Sequence, residues 1–212
     1  MRYLAPVVIG WAGVMCGQGN LHAAIVYRDF PDIVLNTAGG QTDFGFDVDL
    51  NGVDDLRFYA SSDCPAGCGI SIGMLNGSTI GLSIPFEFGY RYADRLAAGA
   101  IVDASADYVS TWGSLIRVFG PGGGISGPWN QSAEPAFIPF TLLIDGNTHF
   151  GWMRARGISA PTTYPNSTIF DIAYQDVPNT PIAAGSVPAA STTALIGAAA
   201  FCTCRRRRNS RF

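Results

Sequence analysis

Short alternating segments and frequent tight turns predict an all-β chain: an antiparallel β-sandwich or jelly roll with at most one or two short helices. Three observations carry that expectation. Apolar residues recur at every second position, as in Phe44, Phe46, Val48 and Leu50, which is the period of a strand with one buried face. Turn formers punctuate the chain at Asn51-Gly52, Asn76-Gly77, Gly120-Pro121-Gly122-Gly123-Gly124 and Asp145-Gly146-Asn147. Composition agrees: 26 glycines and 13 phenylalanines among 212 residues suit strands joined by turns, and 48% hydrophobic residues supply a sizeable core.

Taken in order, Ile25 to Tyr27 and Ile33 to Leu35 read as strands separated by a break at Pro31. Phe44 to Leu50 and Val53 to Tyr59 flank Asn51-Gly52, a pair that tolerates positive φ and predicts a two-residue hairpin. Gly69 to Met74, Ser78 to Ile84 and Ser114 to Phe119 follow as strands, then Phe137 to Ile144, His149 to Arg156 and Ile169 to Tyr174. One stretch, Tyr90 to Ala100, is rich in Ala and Arg and reads as helical, with a further turn over Asp103 to Tyr108. The strand domain is therefore expected over 25–178, and residues 179–186, rich in Pro, Ala and Gly, read as a linker.

The net charge of −3 hides an asymmetry. From Ile25 to Ser186 seven arginines stand against all sixteen acidic residues, a body of −9, and such a body repels phosphate backbones and argues against nucleic-acid partners. There is no lysine, and most of the remaining arginines fall in the last eight residues.

Both ends carry export signals. Residues 1–24 read as a secretory signal peptide: Arg2 is the positive start, Leu4 to Val14 the apolar stretch, and Leu21-His22-Ala23-Ala24 offers small residues for signal peptidase after Ala23 or Ala24. The other reading is a first buried element of the domain. Val14 and Met15 before Cys16 do not offer the small residue that lipoprotein processing needs. Residues 187–212 hold Val187-Pro188, Ala189-Ala190-Ser191, an apolar run from Thr192 to Cys204, then Arg205, Arg206, Arg207, Arg208 and Arg211. Thirteen residues rise about 1.5 Å each, too short alone for a hydrocarbon core of about 30 Å. Lengthened by Ala183 to Ala190 the run becomes a marginal span whose arginines prefer the cytoplasmic side, a transient membrane anchor.

The order Val187-Pro188-x-x-Ser191, small-apolar helix, arginine cluster resembles the PEP-CTERM sorting signal of bacterial exopolysaccharide-associated proteins. The family motif is Val-Pro-Glu-Pro-Ser, and here Ala189 and Ala190 stand for Glu-Pro. Phe150-Gly151-Trp152-Met153-Arg154 with Phe170-Asp171-Ile172-Ala173-Tyr174, and Asp47 to Asp55, are similar to segments common in the bodies of that family. The resemblance covers both ends and about half the body. It implies recognition of the tail by an exosortase-like membrane cysteine protease and release or transfer of the body to the cell surface. An ordinary C-terminal anchor that is never processed is the other reading.

Within the body, Asp47-x-Asp49-x-Asn51-Gly52-x-x-Asp55 matches the first half of an EF-hand loop, with Val53 placed to offer a carbonyl; alternate oxygens on a tight loop suit Ca²⁺. The twelfth place, where that loop carries a bidentate Glu, is Phe58. A plain acidic hairpin tip needs no ion, since solvated carboxylates also protect strand edges. Cys64 and Cys68 are the cysteines left once signal and tail are discounted, and an oxidising compartment makes them a disulfide. Zinc would need more thiolates or histidines, and Cys202 and Cys204 in the tail read as small apolar filler or as acylation or redox sites. For catalysis there are two histidines, His22 and His149, no Gly-x-Ser-x-Gly elbow and no phosphate-cradling Gly-Lys-Ser/Thr loop, while a pair of glycosidase carboxylates stays open. Trp112, Trp129, Tyr90, Tyr92 and Tyr164 fall in or near predicted loops, either to stack on sugars or to pack the sandwich.

These features lead to the expectation of an exported, surface-sorted, non-enzymatic protein of the cell envelope or extracellular polysaccharide matrix. The alternatives are a carbohydrate-binding module with structural calcium and, third, a secreted glycan-active enzyme.

Overall fold

The computed structural model describes residues 24–38, 41–61, 68–87, 90–110, 112–118, 125–130, 134–158 and 166–188. The first part holds β1 (Ile25–Asn36), β2 (Thr42–Phe46), β3 (Leu56–Ser61), β4 (Cys68–Met74) and β5 (Thr79–Glu87). The middle holds β6 (Tyr90–Ala93), β7 (Ile101–Val102), β8 (Tyr108–Val109), β9 (Gly113–Val118) and β10 (Ile125–Ser126). Long strands return in β11 (Ala136–Ile144), β12 (Asn147–Ile158) and β13 (Asn166–Gln175), before the short β14 (Ile182–Ala183). Among the described residues there is no helix, and so none long and apolar enough to cross a membrane.

The sheet runs β1-β13-β12-β11-β5-β6-β9-β4-β3-β2, with β8 and β10 attached to β5 and β9. Neighbours are antiparallel except β6 and β9, which pair in parallel at Tyr92 and Ser114. The path closes over on itself at β5. Thr79 and Ile80 pair with Thr141 and Phe140 of β11, whereas Leu82 pairs with Ala93 of β6. The next pair towards β11 would be Gly81 with Pro139, and Pro139 has no N–H to continue the ladder. β5 therefore leaves one layer and enters the other, and the result is the two-layered, nearly barrel-shaped all-β body that the alternation predicts.

Strand alternation then decides the core. Leu56, Phe58 and Ala60 of β3, Ile70, Ile72 and Met74 of β4, and Ile138, Phe140 and Leu142 of β11 all point between the layers and join one cluster. Each such large side chain contributes about 1.5–3 kcal/mol by leaving water. The opposite face of the β11–β12–β13 layer carries a second cluster of Phe137, Phe150, Trp152 and Ala173, roofed by Val102, Ile182 and Ala184. Gly151 lies between the two aromatic residues because a Cβ there would come within 2.4 Å of the Phe140 ring and 2.7 Å of the Ala173 carbonyl.

Four expectations are corrected. Tyr90 to Ala100 is not helical: β6 occupies its start, and Leu96 exchanges two backbone hydrogen bonds with Phe137, at 2.8 and 3.0 Å. Burial of Tyr92 and Ala93 between β5 and β9 overrides the local propensity of Ala and Arg. The first two strands are one, β1, with a bulge between Asp29 and Ile33 that absorbs Pro31. Asn51-Gly52 is not a two-residue hairpin turn; β2 ends at Phe46, β3 starts at Leu56, and residues 47–55 form a nine-residue loop. Residues 179–186, read as a linker, are docked: Ile182 and Ala183 pair with Val102 and Ile101, and Ile182 and Ala184 are each 2% exposed. Their apolar side chains bury against Trp152 and Phe150, which composition alone does not reveal.

Candidate functional site

The loop between β2 and β3 is built from Asp and Asn side chains that bond their own backbone. The Asp47 carboxylate accepts from the Asn51 N–H at 3.2 Å and the Gly52 N–H at 2.8 Å. Asp49 accepts from the Asn51 N–H at 3.0 Å and from Asn51 Nδ2 at 2.9 Å, while Asn51 Oδ1 accepts from the Val53 N–H at 2.8 Å. This ladder of Asx turns bends the chain through positive φ at Leu50 (+64°) and Gly52 (+90°). Two ties hold the loop to the body. Arg28 donates to the Val48 carbonyl at 2.7 Å and to the Asp47 carbonyl, and Val48 itself is fully buried.

Asp55 closes the loop from below. Its carboxylate accepts from the Val48 N–H at 2.9 Å, its own N–H donates to the Phe46 carbonyl at 3.0 Å, and the residue is 4% exposed. The structure thus brings Asp47, Asp49 and Asp55 together, each with a carboxylate oxygen within 4.8 Å of the others. Asn51 turns its amide to Asp49, Val53 is exposed at the tip, and Phe58 in the twelfth place is buried in the core. Electrostatics divides the carboxyls. Desolvation raises Asp55 above the ordinary aspartate value, partly offset by the Val48 N–H and reinforced by the negative charges of Asp49 and Asp47. Asp47 feels desolvation too, but the N–H groups of Gly52, Leu50 and Asn51 together hold it below the ordinary value.

The other predicted residues are scattered. Cys64, Ala23, Ser191 and Arg205 to Arg208 lie outside the described residues, as does the side chain of Cys68, so the disulfide, the cleavage point and the arginine cluster fall there too. Ala24 is exposed, and its backbone N–H donates to Asp176 Oδ1 at 2.7 Å. Val187 and Pro188 are exposed. His149 is buried, with Nδ1 at 2.7 Å from the Gln175 carbonyl, a structural contact inside the strand layer. Trp129 and Tyr92 are core residues, and Trp129 Nε1 donates to the Ala93 carbonyl at 3.1 Å. Tyr164 and the side chain of Tyr90 lie outside the described residues.

Trp112 alone of the five aromatics is described as exposed, at 43%. Strand register places it on the outer face of the β2–β3–β4–β9 layer. Gly45 pairs with Arg57, Arg57 with Gly73, and Trp112 directly precedes Gly113, the first residue of β9, which pairs with Ile72 beside Gly73. In the adjacent row Asp43 pairs with Tyr59 and Tyr59 with Ser71. The Trp112 indole lies flat on Gly73: three ring atoms stand at 3.0 Å from where a Cβ would be. Tyr59 meets it edge-on, with centroids 5.8 Å apart. Beside them Arg57 grips Asp43 through two bonds, at 2.7 and 2.5 Å, and that pairing pulls the Asp43 carboxyl below its ordinary value. Sequence reasoning singled out Trp112 but missed Tyr59, Arg57 and Asp43. Outward glycines at alternate strand positions were the available signal, because a glycine inside a strand marks close approach by another group.

No family model, curated protein or solved structure matches this chain.

Proposed function

We propose that this chain is an exported, surface-sorted, non-enzymatic protein of the cell envelope or extracellular polysaccharide matrix, with a signal peptidase and an exosortase-like membrane protease as its processing partners. One observation carries the reading. The sequence sets an apolar, arginine-bearing stretch at each end of an anionic body, and among the described residues that body packs two apolar clusters of its own between Ile25 and Ala184. On this reading the apolar, arginine-bearing ends direct passage through a membrane, and the anionic body is the part delivered. Mass spectrometry of the form on intact cells tests this. The expected form lacks the leader and the terminal arginines; a full-length chain in the cytosol, or a surface form that keeps Arg205 to Arg208, overturns it.

A second reading concerns the acidic loop alone. Three crowded carboxylates, one of them buried, repel one another, and a hard divalent cation relieves that repulsion. Asp47, Asp49 and Asp55 would supply side-chain oxygens, and the Val53 carbonyl is the further oxygen that the spacing offers. Calorimetric titration with CaCl₂ checks it: heat of binding that disappears in Asp49→Asn supports the ion, and no heat leaves the loop held by its own Asx turns.

A further inference from the structure

We propose that Trp112 is the stacking platform of a binding site for a neutral polysaccharide, on the outer face of the β2–β3–β4–β9 layer. This deepens the matrix reading above and rests on it for its biological setting. An indole usually buries its faces and leaves an edge to water; here one face rests on the bare backbone of Gly73 and the residue keeps 43% of its surface exposed. The open side is therefore a ring plane parallel to the sheet. A pyranose with equatorial hydroxyls has a complementary shape, since its axial C–H bonds form a flat apolar face and its hydroxyls project at the rim. Tyr59 packs against the indole with the two ring planes 69° apart, which fixes the indole's tilt on the sheet.

The charges beside the ring select for a neutral ligand. Arg57 is the cross-strand partner of Gly73, under the indole, and it is already neutralised by Asp43 through two hydrogen bonds. Both side chains are still partly open, at 47% and 26%. Such a pair offers guanidinium donors and carboxylate acceptors to hydroxyls, which both donate and accept, while the Asp54 carboxylate over Gly45 in the same row leaves the patch net negative and repels an anionic polymer. The glycine floor is what permits this geometry. A methyl group at Gly73 would meet Cδ2, Cε2 and Cε3 of the indole at 3.0 Å and lift the ring off the sheet, while the strand backbone there accepts alanine without strain.

The test is affinity electrophoresis of the full chain in native gels containing hydroxyethylcellulose, xyloglucan or dextran, with alginate as the anionic control. Retardation by at least one neutral polymer and none by alginate is expected. Trp112→Ala should weaken that retardation about tenfold or more, the scale of a lost aromatic stacking contact. Gly73→Ala should weaken it less, and Trp112→Phe should retain part of it. Circular dichroism melts of each variant separate lost binding from lost fold, and indole N–H chemical shifts on titrating wild type with cello-oligosaccharides give a readout that needs no variant. No retardation by any neutral polymer, retardation unchanged in Trp112→Ala, or a dimer that buries Trp112 in place of the glycan would overturn the site. A purified chain that binds while residing in the cytosol would defeat the surface reading alone; a surface chain that does not bind would defeat only this site.

Discussion

Leu50 adopts φ +64° at the tip of the acidic loop and is 70% exposed, so a branched apolar side chain is held in the left-handed region with no packing in return. Asn tolerates that conformation, and Leu50→Asn should raise stability by about 0.5–1 kcal/mol in denaturant titrations. Asp55 makes a sharper prediction. Its carboxyl is raised above the unfolded value, so the native state holds the proton more tightly, and stability is lost as pH rises through the native value. Asp47 is lowered and acts the other way, with stability present above the unfolded value and lost as pH falls. Asp55→Asn keeps an oxygen for the Val48 N–H and removes the charge. At neutral pH its thermal midpoint should therefore exceed that of wild type, with the gap closing as acid protonates Asp55. Equal midpoints at neutral pH would show that the crowding of Asp47, Asp49 and Asp55 costs nothing.

At the scale of elements, β14 is a clamp. Ile182 and Ala184 cover Phe137, Phe150 and Trp152, and the Ala184 N–H donates to the Ala100 carbonyl at 2.8 Å. Ile182→Ala should cost about 2–5 kcal/mol and shift tryptophan emission to the red as water reaches Trp152. Truncation after Pro178 should destabilise the body further, whereas truncation after Ser186 should leave the melting curve unchanged. Apolar runs between turn residues made the long strands legible, even where both faces are buried, and Phe137 to Ile144, His149 to Arg156 and Ile169 to Tyr174 emerge within a few residues of their bounds. Pairs as short as β7 and β14 carry no period to read. Tyr90 to Ala93 read as helix because Ala and Arg favour it locally; only the neighbouring strands on both sides supply the hydrogen bonds that make it β6.

Over the whole molecule, the start of β1 meets the segment after β13. Ala24 and Asp176 exchange a carboxylate bond at 2.7 Å and a backbone bond at 3.0 Å. Signal cleavage after Ala23 would turn that nitrogen into an ammonium beside Asp176, a charge-assisted contact, and cleavage after Ala24 would remove it. N-terminal sequencing of the mature chain should therefore begin at Ala24, and Asp176→Asn should lower its midpoint slightly at low salt. A mature chain beginning at Ile25 would show that the contact plays no part.

Composition and alternation by themselves determined the all-β class, the anionic body, the apolar arginine-bearing ends and the gathering of Asp47, Asp49 and Asp55 in one loop, because these depend on residues close in the chain. Only the tertiary structure decided that 179–186 is packed, that Trp129 and Tyr92 are core, and that Trp112 lies on Gly73 beside Arg57 and Asp43. Those facts depend on which strands become neighbours. Strand pairing joins residues tens of positions apart through backbone hydrogen bonds that every residue but proline can make, so the local sequence does not name the partner.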